Sequence, residues 1–236
     1  MPEIEPLAPK SSPPFPLRTI RSFVRRESRI TTQQRQALAS QQHFLLTPNS
    51  AEWHAWLHAD CEQALEIGFG QGENLVHLAQ CYPQRRYLGL EVYRPGIGAL
   101  LHRLDQHQIT NVRVCCADAS EVMPQLADSR LDLILILFPD PWPKTRHHKR
   151  RLIQPDFIQA LRQKLKIGGL LHVATDWQDY ARSALRDLQQ AAGLTNTTVN
   201  ATGYSQRPEY RTLTRFEQRG QQLGHGVWDI IFKRTA

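Results

Sequence analysis

LDLILILFPDPWPKTRHHKRR, residues 131–151, decides how this chain is built. Leu133 to Phe138 is an unbroken apolar run, too short for a helix or a membrane span, and it suits a strand covered on both faces in a parallel sheet. Asp132 is the one polar break near its start. Pro139, Pro141 and Pro143 then forbid continuation as strand or helix, so Asp140 is expected to be held rigidly at the strand's carboxyl end. Open α/β sheets bind ligands at that edge. Five Lys/Arg and no acid follow between Lys144 and Arg151. The stretch reads as strand, then site, then cationic arm.

The 236 residues fit one domain with a tail, and 41% hydrophobic residues is ample for a core. With 29 Lys/Arg against 22 Asp/Glu the formal charge is +7, which favours a polyanionic partner. Position says more than the total. Arg18, Arg21, Arg25, Arg26, Arg29 and Arg35 form one basic cluster, and the residues after Asp140 form a second. Cys61, Cys81, Cys115 and Cys116 show no CxxC spacing, so neither zinc nor a disulfide framework is expected, and no other metal. They read as small core residues of a reducing compartment. The absence of a signal core or of roughly 20 consecutive apolar residues makes a cytoplasmic protein without a membrane partner the expectation.

Residues 1–17 carry six prolines and read as a disordered tail. Residues 18–50 are expected to form a basic arm, helical from Thr31 or Thr32 through Ala39; it is either a solvated arm or a nucleic-acid contact that orders on binding. The remaining domain, 51–236, alternates short apolar strands with amphipathic helices, the pattern of a parallel sheet. Strands are expected at 63–67, 86–91, 112–117, 131–138 and 170–175. Helices are expected at 73–80, 95–106, 122–127 and 155–165, the last closed by Gly168-Gly169, and at 177–192. Segments 195–200 and 227–233 look like a closing antiparallel pair.

Between the first strand and its helix lies Glu66-Ile67-Gly68-Phe69-Gly70-Gln71-Gly72, whose alternate glycines let the backbone pass tightly under a ligand. It is not the dinucleotide fingerprint, because Glu73 stands where the third glycine belongs, and no GK[ST] makes it a P-loop. Glu66 and Glu73 would repel a pyrophosphate. A ligand bearing an ammonium and a sulfonium, S-adenosylmethionine, suits them. Glu91, ending the second strand, is placed to meet ribose hydroxyls, and Asp118, ending the third, to accept from an adenine amino group. Each acid alone is most simply a solvated loop residue or a helix cap; three at successive strand ends beside a glycine turn point to a site.

The runs LEIGFGQGENL, YLGLEVYRPGIG, FPDPWPKTRHHKRR, ATDWQDYA and TRFEQRGQQLGHGVWDIIFKR together resemble the tRNA (guanine-N(7)-)-methyltransferase family, and RSFVRR (21–26) is similar to its bacterial members. The resemblance implies a Rossmann-like class I methyltransferase fold, a mostly parallel seven-stranded sheet with an antiparallel C-terminal strand and helices on both faces. It implies S-adenosylmethionine as cofactor, with S-adenosylhomocysteine as product, and tRNA rather than DNA as partner, modified at guanine 46 of the variable loop. It assigns the cofactor to Glu66, Glu91, Asp118 and Asp140, with Gly68 and Gly70 in the turn. Lys144, Asp176, Thr214, Arg215, Phe216 and Glu217 fall to the guanosine, and Arg146, His147, His148, Lys149, Arg150 and Arg151 to the RNA.

Guanine nitrogen 7 has a lone pair and no proton, so the transfer needs positioning and charge stabilisation rather than a general base. Asp140 is the candidate catalytic group, either orienting the methyl donor or stabilising positive charge on the base. Asp176 or Glu217 would accept from guanine's Watson-Crick edge; Asp176 is otherwise a cap of the following helix. Trp142 or Phe216 would stack on an extruded base, or else pack in the core. His147 and His148 read as phosphate or solvent contacts and His225 as a turn residue. Two other functions share these features: an RNA-binding module without turnover, and a methyltransferase for a small acidic metabolite. Neither monomer nor homodimer is favoured.

Overall fold

The structure, a computed structural model, describes residues 22–23, 30–213, 217 and 226–236. The tail and most of the first basic cluster lie outside the described residues.

Helix α1 (Thr32–Ser40) is followed by a 3-10 turn (Gln42–Phe44) and α2 (Ala51–Leu57). The sheet units come next: β1 (Gln63–Ile67), α3 (Glu73–Cys81), β2 (Arg86–Leu90), α4 (Arg94–Gln106), β3 (Val112–Cys115), α5 (Ala119–Val122), β4 (Leu131–Leu137), α6 (Pro155–Lys164), β5 (Leu165–Thr175), α7 (Gln178–Gln189), β6 (Leu194–Asn196) and β7 (Trp228–Arg234). The strands form one seven-stranded sheet in the order β3-β2-β1-β4-β5-β7-β6. The first five are parallel, and β7 runs antiparallel to both β5 and β6.

β4 shows why its sequence is continuously apolar. Leu133, Leu135 and Leu137 pack on one face with α1, α3 and α4 residues, and Ile134 and Ile136 pack on the other with residues of α2, α5, α6 and α7. Both faces are dry, so alternation disappears. Asp132 is tolerated because it accepts from Gln63 N at 2.8 Å and from Lys166 Nζ at 2.9 Å.

Two expectations need correction. Gly168-Gly169 do not close a helix: α6 ends at Lys164, and β5 starts at Leu165. Between the pairs Leu131↔Leu165 and Leu133↔Leu170, β4 advances two residues while β5 advances five, so the glycines serve a bulge in the longer strand. The cysteines are not all core residues, since Cys115 is buried but Cys61 is half-buried and Cys81 and Cys116 are exposed. Helix α2, which the sequence reading did not mark, has a legible signal: Ser50 accepts from Trp53 N at 3.1 Å, and Trp53 and Leu57 share one face, four residues apart.

Residues 30–46 are docked on the body. Gly98 of α4 lets α1 approach closely, and Leu46 N donates to Val114 O at 2.8 Å along the β3 edge. A still closer contact positions the site: a Cβ on Gly96 would stand 2.1 Å from the carbonyl oxygen of Gly70. The first turn of α4 therefore braces the glycine turn after β1. Gly96→Ala is expected to destabilise the fold by about 1–3 kcal/mol through overpacking, read as a lowered denaturation midpoint at unchanged slope.

Candidate functional site

Chain reversal after β1 uses left-handed backbone at Gly68 (φ 74°), Gly70 (φ 59°) and Gly72 (φ 76°). The turn is latched by Glu91 at the end of β2. Its Oε2 accepts from Gly70 N at 2.8 Å, and its Oε1 accepts from Val92 N at 2.7 Å and Tyr93 N at 3.0 Å. The turn and the acid that faces it thus form one rigid unit.

After β4 the backbone again enters the left-handed region, at Phe138 (φ 52°) and Trp142 (φ 46°), on either side of Pro139-Asp140-Pro141. For residues with a side chain that conformation costs about 1–2 kcal/mol each. Arg151 supports the turn. Its Nε donates to Pro141 O at 2.9 Å, and its other nitrogens reach Ser183 Oγ at 3.0 Å, His148 Nε2 at 3.0 Å and Asp179 Oδ2 at 2.5 Å. Asp140 therefore sits on a loop tied to α7.

These strand ends enclose a cavity of about 550 Å³ lined by Gly68, Gly70, Glu91, Asp118 and Asp140, with Ser22 and Phe23 of the N-terminal segment also against it. Gly68 and Gly70 leave open space where a Cβ would stand. Asp118 both lines the cavity and caps α5, accepting from Ser120 N at 2.9 Å, so the site and the cap readings hold together. Glu66 is placed differently from the sequence expectation. It is buried beneath the turn, outside the cavity lining, where Asn74 Nδ2 donates to its Oε2 at 3.0 Å. Burial, and secondarily the charge of Glu91, pushes its carboxyl up to about 7. Burial also raises Glu91, although its backbone hydrogen bonds oppose the shift. Such a cluster of carboxylates suits a ligand with positive charge.

On the substrate side Lys144 is exposed and Asp176 is half-buried just beyond β5. Asp176 does not cap α7: Thr175 Oγ1 accepts from Trp177 N at 3.2 Å. Thr214, Arg215, Phe216 and His225 lie outside the described residues. Glu217 is 2% exposed, with its carboxylate against Arg211. The cationic arm forms a 3-10 helix (Thr145–Arg150) in which Arg146 and Lys149 are exposed and His147, His148 and Arg150 half-buried. Arg151 is the correction here. Expected among the RNA contacts, it is 2% exposed and spends its guanidinium on the interior. Trp142 is half-buried rather than a core residue; it donates from Nε1 to Ser22 O at 3.0 Å and has Arg150 over its ring at 4.9 Å.

Sequence reasoning also missed Arg211, His172 and Asp229. The legible signal for two of them was a titratable residue inside an otherwise apolar strand, LLHVAT and WDIIF.

A family model described as "Putative methyltransferase" matches residues 61–230. The chain is 47% identical over 224 residues to a tRNA (guanine-N(7)-)-methyltransferase of Aeromonas hydrophila, covering 93% of this chain and 94% of that one. It is 45% identical to the protein of the same name from Shewanella frigidimarina, with the same coverage. The fold is similar to that of the 16S rRNA methyltransferase KamB, with TM-score 0.61 and 16% identity over 81% of this chain and 96% of that one. It is also similar to the antibiotic-resistance methyltransferase Kmr, with TM-score 0.55 and 15% identity over 81% and 95%.

Glu66 gives a pH signature. Its carboxyl moves from 4.5 to about 7 on folding, so between those values the folded state binds more protons than the unfolded chain. The contribution is full below pH 4.5 and is lost as pH rises through 7. Glu66→Gln should therefore flatten the decline in the ligand-free protein's stability between about pH 5 and 8, measured by denaturant unfolding at each pH.

Proposed function

This chain belongs to the tRNA (guanine-N(7)-)-methyltransferase family and transfers a methyl group to nitrogen 7 of guanine in tRNA; we propose that the donor is S-adenosylmethionine and the target guanine 46 of the variable loop, as the sequence resemblance implies. The observation that carries the cofactor assignment is the cavity itself. Three carboxylates and an open glycine cradle line it in a chain of net charge +7, so it favours a small cation-bearing ligand while the surface favours a polyanion. S-adenosylmethionine, when bound, supplies a methyl group on a sulfonium and leaves as S-adenosylhomocysteine.

The residues of the chain divide the work. Glu91, already fixed by three backbone N–H groups, keeps lone pairs for ribose hydroxyls, and Asp118 keeps Oδ2 for an adenine amino group. Glu66 acts from behind the glycine turn, as a buried acid that gains its charge most readily beside a cation. Nitrogen 7 needs no base to deprotonate it. Asp140, on its braced turn, is the group placed to hold negative charge where positive charge passes from the donor to the purine, without water having to reorganise. Asp176 is the acceptor for the purine's N–H groups, and Lys144 a donor to a phosphate or the base carbonyl. Arg146 and Lys149 face outward for the RNA backbone, with His147, His148 and Arg150 beside them. Among the described residues no helix is long and apolar enough to cross a membrane, and we place the enzyme with its tRNA in the cytoplasm.

The product gives a direct assay, because 7-methylguanosine is cationic and its sugar bond can be broken after reduction. Unmodified tRNA incubated with enzyme and S-adenosylmethionine should then be cleaved at one position; intact RNA would overturn the reading. Asp140→Ala should abolish that cleavage while leaving tRNA affinity within about twofold. Changing Arg146 and Lys149 together to alanine should weaken binding to different RNAs alike and lower the salt slope of log K by about 2, measured by titration at several salt concentrations.

A further inference from the structure

Trp177 stands where three parts of the site meet. It follows Asp176, the acceptor for the purine, just beyond β5, and two residues later Asp179 Oδ2 accepts from Arg151 Nη2 at 2.5 Å. Arg151 also holds the Pro141 carbonyl beside Asp140 at 2.9 Å, and His148 of the cationic arm lies 3.7 Å from the same Asp179 oxygen. The indole therefore springs from a short stretch of chain with the purine acceptor on one side and the anchor of the cationic arm on the other. We propose that Trp177 is a stacking platform for tRNA: its ring packs on the base next to the target guanine, in the place that the guanine vacates when it is drawn out of the stack. The inference rests on the functional reading above and adds a contact which that reading does not use.

The residue type is the first argument. Trp177 is the N-cap of α7, with extended backbone (φ −109°, ψ 105°), and its side chain makes no capping hydrogen bond. Ser, Thr, Asp and Asn stabilise this position, so an indole forgoes a bond that the helix would gain from any of them. Burial does not compensate. Trp177 is 40% exposed, and it is the only aromatic among the exposed large apolar side chains of the described residues. Trp53 is fully buried, and Trp56 and Trp142 have arginines over their rings, whereas the Trp177 ring meets no aromatic or cationic partner among the described residues. A local rule broken without a structural gain marks a functional position.

The platform is fixed before any ligand arrives. Trp177 N donates to Thr175 Oγ1 at 3.2 Å, and the Trp177 carbonyl accepts from Ala181 N at 2.9 Å. A rigid indole on a fixed backbone loses little entropy when it packs on a ligand. Every base presents a π-face, so the contact requires no particular neighbour in the tRNA sequence. Enzymes that act on a base take it out of its stack, which leaves the adjoining base with one face bare. Asp176 takes the edge of the guanine, and the bare face is left to Trp177. An indole covering it opposes the return of the guanine and lengthens its stay beside Asp140.

The test uses three unmodified tRNAs, one intact and two in which an abasic sugar replaces the base on the 5′ or the 3′ side of the target guanine. On the intact tRNA Trp177→Ala should lower kcat/KM about tenfold, and Trp177→Phe, which keeps an aromatic face, should regain most of that loss. On one of the abasic tRNAs the wild type should fall about tenfold and Trp177→Ala should fall no further, because the base that the indole covers is gone. A loss in Trp177→Ala that persists undiminished on both abasic tRNAs, or no loss on the intact one, would overturn the proposal. Should Trp177→Ala not fold by circular dichroism, Trp177→Leu, which keeps apolar bulk without the π-face, is read in its place. Indole emission reads the contact without turnover: the part of it absent from Trp177→Phe should be quenched at saturating tRNA, and emission left unquenched would sink the contact. A wild-type protein that is quenched by tRNA yet transfers no methyl group would overturn the functional reading and leave the contact standing.

Discussion

One buried guanidinium, that of Arg151, links the parts on which the site depends. The chain leaves β4 through two left-handed residues that do not favour that conformation, and the turn between them carries Asp140. Arg151 holds the Pro141 carbonyl from one side while binding Ser183 and Asp179 of α7 on the other. A planar cation with five donors can fasten three chain segments at once, which a lysine cannot. Asp140, the carboxylate proposed to stand near developing charge, is thereby fixed to the helical layer instead of resting on a loose loop.

The same economy appears at the other strand ends. Glu91 serves as latch for the glycine turn before it serves any ligand, and Asp118 serves as cap of α5. Each acid keeps part of its hydrogen-bonding capacity facing the cavity. The acids are therefore positioned in advance, and their mutual repulsion is carried by backbone hydrogen bonds, with protonation of Glu66 available to relieve the rest. A cationic ligand entering such a place relieves that repulsion further.

Around this acidic pocket the protein is basic, and the division is spatial. The acids lie at the sheet edge in a shaped cavity, while Arg146 and Lys149 lie on the outer surface of the adjoining 3-10 turn. A polyanion is drawn to the surface and a small cation to the interior. The sequence FPDPWPKTRHHKRR joins the two within fourteen residues, so the basic surface and the acidic cavity adjoin.

The sequence by itself determined the sheet and the strand ends that line the cavity. Continuous apolar strands, glycines at alternate positions and acids at strand ends are local patterns with local causes, and β1 and the core of β4 fall where those patterns put them. It did not determine which charges face water. Arg150 and Arg151 are the same residue type side by side, yet one lies against Trp142 and the other is buried against Tyr180. Glu217 pairs in the interior with Arg211, six residues earlier, and Arg211 is itself held by Asp229 of β7. Gly168-Gly169 look like a helix stop and form a bulge, because the register of β4 against β5 is set by residues on another strand. Whether a charged side chain binds a partner or supports the fold depends on which other segments arrive beside it, and only the packed tertiary structure brings those segments together.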